Sequence, residues 1–215
     1  MHILITAGPT REYLDPVRFL SNGSTGKMGY ACAAAALQRR HRVTLISGPV
    51  SLAAPPSAER ISVVTAEEMF QAVRSHFASC DCVIMTAAVS DYRPARRARY
   101  KRQKTGDACL LPLVRTKDIL AYLGNIRKKQ ILIGFAVQDR AARAKARRKL
   151  LAKNLDAIVL NGPSSFGADQ TDMQILTPAG GWEEYPGVNK KRMAGIIIRL
   201  AERLYGQAAR ISKNQ

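Results

Sequence analysis

Met1-His2-Ile3-Leu4-Ile5-Thr6-Ala7-Gly8-Pro9-Thr10-Arg11 opens the chain with an apolar run that stops at a glycine–proline turn. A short aliphatic run bounded in this way reads as a strand buried on both faces. An alanine-rich helix over residues 26–37 follows, then a second apolar strand, Val43-Thr44-Leu45-Ile46, closed by Ser47-Gly48-Pro49. The unit recurs. Further strands are expected at 61–64, 82–85, 131–133, 157–160 and 173–176. Helices are expected at 117–125, at 140–153, at 189–204, and from the capping box Thr65-Ala66-Glu67-Glu68 to Phe77. Apolar strands alternating with helices predict an α/β fold, a Rossmann-like open, mostly parallel sheet with helices on both faces. Such sheets bind ligands beyond the carboxyl ends of their strands. The turns after Thr6, Met85, Ile133 and Leu160 therefore become the places to look.

The 215 residues suit a single domain over residues 1–205. Residues 92–112 are an exception. They carry seven basic side chains between Arg93 and Lys104 and little apolar material, and so read as an exposed basic flap. Residues 206–215 read as a flexible polar tail. No apolar run approaches the roughly 18–20 residues of a membrane span, and the first residues lack the pattern of a secretory signal. A cytoplasmic protein with no membrane partner is expected. The balance of 34 Lys and Arg against 16 Asp and Glu, +18 in all, points to phosphate groups, nucleic acid or an acidic surface as a partner. A basic proteome or a high-salt habitat accounts for that charge equally well. Cys32, Cys80, Cys82 and Cys109 form no disulfide framework, and the Cys80-Asp81-Cys82 spacing is wrong for zinc; all four read as reduced thiols.

Several familiar motifs fail. The turn Ala7-Gly8-Pro9-Thr10-Arg11 is not a dinucleotide-binding glycine pattern, and no acidic residue ends the second strand. Gly23-Ser24-Thr25-Gly26-Lys27-Met28 is too short for a P-loop and has Met28 where a hydroxyl is needed. Ser24-x-x-Lys27 and Lys104-Thr105-Gly106 mimic β-lactamase signatures, but the third signature is replaced by Ser90-Asp91-Tyr92. His2, His41 and His76 have no metal-ligand spacing.

What remains is a glycine-bearing polar loop, Ser21 to Lys27, running into a helix. Free amides at a helix N-terminus attract phosphate or carboxylate, although an ordinary capped loop looks the same in sequence. Thr86-Ala87-Ala88-Val89-Ser90-Asp91-Tyr92 follows a strand. Its alanines leave room for a flat ring, and Asp91 is placed to accept from an amino group or sugar hydroxyl, or simply to cap. Gly134-Phe135-Ala136 pairs a close-approach residue with an aromatic face. Lys145, Lys149 and Lys153 share one helical stripe, which either binds phosphate or faces water.

Taken together, these segments resemble the phosphopantothenate–cysteine ligase family, the synthetase half of bacterial coenzyme A biosynthesis proteins. The resemblance rests on Ile5-Thr6-Ala7-Gly8-Pro9-Thr10-Arg11-Glu12, on Asp15-Pro16-Val17-Arg18-Phe19-Leu20-Ser21-Asn22, and on Ser24-Thr25-Gly26-Lys27-Met28-Gly29-Tyr30. Thr86 to Pro94, Gly134-Phe135-Ala136 and Lys149 through Asp156 extend it in consistent order. It implies a ligase that uses CTP to convert the carboxylate of 4′-phosphopantothenate into an acyl-cytidylate and passes the acyl group to the amine of L-cysteine. CMP and pyrophosphate are released and Mg2+ is expected, its ligands unknown.

The resemblance also implies roles. Asn22 holds the acyl carbonyl and Arg18 lies in the same substrate loop. Gly8, Ser24, Gly26, Met85, Thr86, Ala87, Ala88 and Asp91 bind the nucleotide, as do Lys117, Asp118, Ile119, Leu120, Phe135, Lys149 and Lys153. The family's flap lysine corresponds to Arg99, with Lys101 as the substitute; Lys117 replaces a family proline. A homodimer and a separate phosphopantothenoylcysteine decarboxylase are implied partners. Lys149 and Lys153 come late in their helix, which a regular open sheet carries away from the ligand edge. The alternative reading is a basic nucleic-acid-binding module, but aromatics are only 6% of the chain, few for base stacking. An oxidoreductase lacks its glycine and acidic signals.

Overall fold

The computed structural model describes residues 1–104, 106, 108–138, 141–162 and 170–211. In chain order the elements are β1 (His2–Ala7), β2 (Arg11–Tyr13), β3 (Phe19–Ser21), α1 (Lys27–Gln38), β4 (Arg42–Ser47), β5 (Glu59–Ser62) and α2 (Ala66–Phe77). Next come β6 (Cys82–Met85), β7 (Tyr92–Pro94), β8 (Leu113–Arg115), α3 (Ile119–Ile126), β9 (Ile131–Val137) and α4 (Ala142–Ala152). The chain ends with β10 (Ala157–Asn161), β11 (Gln170–Leu176), β12 (Trp182–Asn189) and α5 (Lys190–Ile211).

Eight strands form one sheet in the order β12-β11-β10-β9-β6-β1-β4-β5. All neighbours from β10 to β5 are parallel; β11 and β12 are antiparallel. Alternate strand residues face opposite layers. Ile3, Ile5, Leu45, Ile84 and Val159 pack with Ala33 and Ala36 of α1 and with Ile197 and Ala201 of α5. Leu4, Ile46, Val83, Leu132 and Ile158 pack with Met69 of α2, Leu123 of α3 and Leu150 of α4. Both strand faces are therefore apolar, as expected of a sheet between two helical layers. From β1 the chain steps outward to β4 and β5, then returns to lay β6 on β1's other side. The reversal opens a crevice at the carboxyl ends of β1 and β6.

Local chemistry explains most boundaries. Thr65 caps α2 by accepting the Glu68 N–H at 3.1 Å, while the Glu68 carboxylate accepts the Val64 N–H at 2.7 Å. Asp118 caps α3 by accepting the Ala121 N–H at 3.0 Å, so that helix starts at Ile119 rather than at residue 117. The strand expected at 61–64 lies at Glu59–Ser62. Helix α4 begins at Ala142; Arg140, where the pattern placed its start, lies outside the described residues. Strand β12 is absent from the sequence expectation because Trp182–Asn189 alternates poorly and includes Pro186 and Gly187. The flap has a two-stranded ribbon that the sequence did not signal: β7 and β8 pair antiparallel at its base. Thr105 and Asp107 within it lie outside the described residues, as do 212–215. The flexible tail assigned from residue 206 is a correction, since α5 runs on to Ile211.

Burial pushes the Cys32 and Cys80 thiols up to about 12 and Cys82 upward as well, so these three are inert packing groups. Among the described residues no helix is long and apolar enough to cross a membrane.

Helix α1 sits unusually close to the sheet. A Cβ on Gly29 would lie 2.5 Å from the Ala7 Cβ and 2.6 Å from the Thr86 hydroxyl. Gly29→Ala is expected to destabilise the protein by about 1–3 kcal/mol through overpacking, despite the better helix propensity of alanine, in urea unfolding. Unchanged stability would show that α1 can shift at little cost.

Candidate active site

The loops after β1 and β6 continue the sheet beyond its strands. The Ala88 N–H donates to Gly8 O at 2.9 Å and the Thr10 N–H to Ala88 O at 3.3 Å. Three threonines tie them further. The Thr86 hydroxyl donates to Thr6 O at 2.6 Å, the Ala87 N–H donates to the Thr6 hydroxyl at 3.2 Å, and the Ser90 N–H donates to the Thr10 hydroxyl at 3.0 Å. The Thr116 hydroxyl donates to Ser90 O at 2.6 Å and brings the approach to α3 to the same place. Asn22 donates its side-chain N–H to Ala88 O at 2.9 Å, which closes the glycine loop over this platform. At the start of α1, Gly26 has φ of 77°, the Lys27 N–H meets the Thr25 hydroxyl at 3.5 Å, and no residue at the cap position takes the amides that follow, which are left for other acceptors.

Around this platform lies a cavity of about 750 Å³. Its walls bring together most of the residues singled out in the sequence: Asn22, Ser24 and Gly26; Met85, Thr86, Ala87, Ala88 and Asp91; Lys117, Asp118, Ile119 and Leu120; Phe135; and Lys149 with Lys153. Lys117 turns its ammonium outward to Glu67 at 2.8 Å and lies over the Phe70 ring. The two α4 lysines reach the cavity after all. A helical Cα–Cβ bond leans toward the helix N-terminus, which in α4 is the ligand edge. The end of α4 is also drawn against α3, where a Cβ on Gly124 would meet Lys153 O at 2.0 Å. Lys149 donates to Phe135 O at 2.6 Å and Lys153 pairs with Asp118 at 2.6 Å.

The charges here perturb one another. Burial, reinforced by the nearby Lys153 cation, lowers Lys149 to about 8, with Asp118 and Asp91 partly opposing. Burial pushes Asp118 up, but its hydrogen bonds from Lys153 and Ala121 prevail and hold it below the usual carboxylate range.

Four expected site residues do not line the cavity. Gly8 lies beneath the loop, packed near Gly26 and Val50. Arg18 is turned onto Asp15, with its Nε at 2.9 Å and a terminal nitrogen at 2.6 Å from the same oxygen, and it donates to the flap at Arg102 O at 2.7 Å. Asp15 is fully buried at this junction. Its own burial is outweighed by the Arg18 guanidinium and by the N–H groups of Val17, Arg18 and Arg102, which together hold its carboxyl far below the usual range. Arg18 thus fastens the flap to the β2–β3 hairpin. Arg99 rests over the exposed Tyr100 ring, and Lys101 is exposed on the flap.

Conversely, Asn161, Thr171, Lys190 and Met193 line the cavity without having been anticipated. Asn161 was within reach, because it directly follows Leu160, one of the strand ends marked for attention. Lys190 and Met193 were not, because only the antiparallel β11–β12 hairpin returns the chain to this edge.

Residues 1–204 match the family described as DNA/pantothenate metabolism flavoprotein C-terminal domain. The chain is 49% identical over 203 residues to the coenzyme A biosynthesis bifunctional protein CoaBC of Bacillus subtilis, covering 92% of this chain and 50% of that protein. It therefore spans about half the length of the curated relatives it matches. The crystal structure of a C-terminal domain of CoaBC superposes with a TM-score of 0.84 at 39% identity, covering 96% of each chain. A Cab2 mutant in complex with phosphopantothenate-cysteine superposes with a TM-score of 0.81 at 16% identity, covering 99% of this chain and 88% of that one, a likeness of fold.

The lowered Lys149 value gives a pH test. Below about 8 its ammonium is charged and attracts an anion; above it the free protein has lost that proton and must take it up again on binding. Affinity for a phosphorylated ligand is expected to fall as pH rises through about 8, read by calorimetric titration. Lys149→Met is expected to bind more weakly and without that limb.

Proposed function

The chain belongs to the DNA/pantothenate metabolism flavoprotein C-terminal domain family, and from that premise we propose that it is a phosphopantothenate–cysteine ligase of coenzyme A biosynthesis using CTP. One observation carries the reading: four separated sequence segments, around Asn22, Thr86, Asp118 and Phe135, converge with Lys149 and Lys153 on one cavity at the strand-order reversal. The relatives called coenzyme A biosynthesis proteins and the neighbour bound to phosphopantothenate-cysteine support the choice of substrates.

The chemistry follows from the charges. A carboxylate oxygen of phosphopantothenate attacks the α-phosphorus of CTP; the bond to the β-phosphate oxygen breaks, and its electron pair leaves with pyrophosphate. The cysteine nitrogen then attacks the acyl carbonyl, loses a proton as the amide forms, and CMP departs with the carbon–oxygen electron pair. Both steps need positioning and neutralisation of phosphate charge more than a protein nucleophile. The α1 amides and the lysines supply that neutralisation. Asn22, with one N–H engaged by Ala88 O, keeps a second for the acyl oxygen. Phe135, Leu120 and the alanine platform offer apolar surface for a base and keep water from the mixed anhydride. Mg2+ fits as a passenger of the phosphates. Among the described residues no group of three metal-ligating side chains exists, while Asp91 on the cavity wall suits a cation held mainly by phosphate oxygens. When bound, it supplies further neutralisation of phosphate charge.

A homodimer belongs to this proposal. Val17, Phe19, Tyr100, Leu113 and Val114 are exposed on the β2–β3 hairpin and the flap ribbon, and a second copy is the occupant that would cover them. The same contact would explain why Arg99 and Lys101 lie away from the cavity of their own chain: they serve the partner's. A cytoplasmic setting and a decarboxylase acting on the product accompany the reading.

CMP release is expected only when CTP, Mg2+, phosphopantothenate and cysteine are all present, and Asn22→Ala is expected to lower kcat about a hundredfold, as for loss of an oxyanion donor. Normal turnover by that variant would remove Asn22 from the mechanism. A thermal-shift panel of CTP, ATP, UTP and GTP is expected to favour CTP; no shift with any of them would sink the nucleotide reading. Sedimentation is expected to give a dimer that Val17→Asp with Leu113→Asp converts to monomer and inactivates.

A further inference from the structure

A second cavity, of about 370 Å³, opens at the carboxyl ends of β4 and β5, on the opposite side of β1 from β6 and β9. It shares no lining residue with the first cavity. Val50 belongs to the partition: it lines the second cavity, and its Cγ1 would lie 2.9 Å from a Cβ on Gly26 and 3.0 Å from one on Gly8. Main-chain hydrogen bonds fix the other walls. The Gly48 N–H donates to Ala7 O at 2.9 Å, the Val63 N–H to Ser47 O at 2.9 Å, and the Arg11 N–H to Val64 O at 2.8 Å. The cavity is therefore preformed, which leaves little for a ligand to order on binding.

Two arginines line this cavity and no acidic residue does. Arg11 comes from β2 and holds its guanidinium 4.6 Å from the centre of the Phe19 ring. Arg60 comes from β5. Among the described residues neither guanidinium has a carboxylate partner. The acids beside them are engaged elsewhere. Glu12 accepts the Ala66 N–H at 2.7 Å, Glu59 the Thr44 hydroxyl at 2.8 Å, and Glu68 the Val64 N–H at 2.7 Å. The end of β4, where a dinucleotide fold carries an acid for a ribose, is here Ser47-Gly48-Pro49, which adds no negative charge. Ser62 lies opposite Ser47 in the β4–β5 register, two residues from Arg60 and so on the same side of its strand. Ser62 and Ser51 are exposed on the cavity wall and bring hydroxyl donors to it.

The charge count selects the ligand. A carboxylate balances one guanidinium. A phosphate monoester, at about −1.5 to −2 near neutral pH, balances both and has oxygens left for the serine hydroxyls. Pro49, Val50 and Val63 offer apolar surface to a small organic body beside that head. We propose that this cavity is a binding site for a small phosphate monoester, held by Arg11 and Arg60 and separate from the candidate active site. The inference goes beyond the ligase reading and does not depend on it.

Phenyl phosphate is the probe, with benzoate as its monoanionic counterpart. Each is titrated by calorimetry at low salt into wild type, Arg60→Met and Ser51→Asp, both substitutions at exposed positions. Phenyl phosphate is expected to bind wild type about tenfold more tightly than benzoate does. Each variant is expected to weaken it by about tenfold, the effect of losing one hydrogen bond from a charged group or of gaining one repelling charge. The first cavity also attracts phosphates, so CMP serves as its probe, and CMP affinity should be the same in all three proteins. A crystal soaked with phenyl phosphate should show the phosphate beside Arg11 and Arg60. Equal phenyl phosphate affinity in wild type and either variant overturns the proposal, as does a phosphate found only in the first cavity. Benzoate binding as tightly as phenyl phosphate overturns the choice of a phosphate. If wild type ignores CMP, the ligase reading falls, and the phenyl phosphate comparison still decides the second site.

Discussion

The close approach of α1 to the carboxyl ends of β1 and β6 is the constraint on which the site depends. Without a side chain at position 29, the first turn of the helix rests on Ala7 and Thr86. That contact aims the uncapped amides of α1 at the crevice opened by the reversal of strand order. If α1 stood a side chain's width higher, as most helices do, the loop from Ser21 to Gly26 would leave the Ala88 carbonyl that Asn22 now holds. Helix, loop and platform are therefore one unit.

The platform owes its shape to polar groups in an apolar setting. Thr6 and Thr10 are fully buried, and their hydroxyls meet N–H groups that would otherwise lie unpaired beyond the strand ends. Each such bond contributes about 1 kcal/mol, but leaving its partner buried and unmade costs about 1–3 kcal/mol. The network therefore acts mainly by excluding other arrangements of the two loops. Asp15 does the same for the flap, gathering Arg18 and the Arg102 N–H onto one buried carboxylate.

Cationic charge around the cavity is held in check rather than free. Lys153 is balanced by Asp118, Lys117 by Glu67, and Lys149 is weakened by burial and by Lys153. A cavity with fully charged, unpaired lysines would repel itself; one with lysines near neutrality or loosely paired can take up an anion by proton binding and exchange of partners. Six lysines and arginines against two aspartates line the cavity, so the site shares in the +18 excess although most of the chain's cations lie elsewhere.

The sequence by itself determined the parallel sheet, the helices and the segments that carry the site. Aliphatic runs between Gly and Pro turns define strands buried on both faces, and the glycine loop, the Thr86–Asp91 turn and Phe135 fall at strand ends where such folds hold ligands. It ended the last helix short, because residues 206–210 carry no large apolar side chain to continue its stripe, although α5 runs on to Ile211. It was silent on β12, whose pairing with β11 compensates for weak alternation. Only the tertiary structure decided that Lys149 and Lys153 face the ligand edge, that Arg18 serves the flap, and that Asn161 and Lys190 line one cavity. Those outcomes depend on side-chain reach, on the tilt of one helix against another and on a hairpin's return. Each is set by contacts between residues far apart in the chain, which periodicity and spacing do not encode.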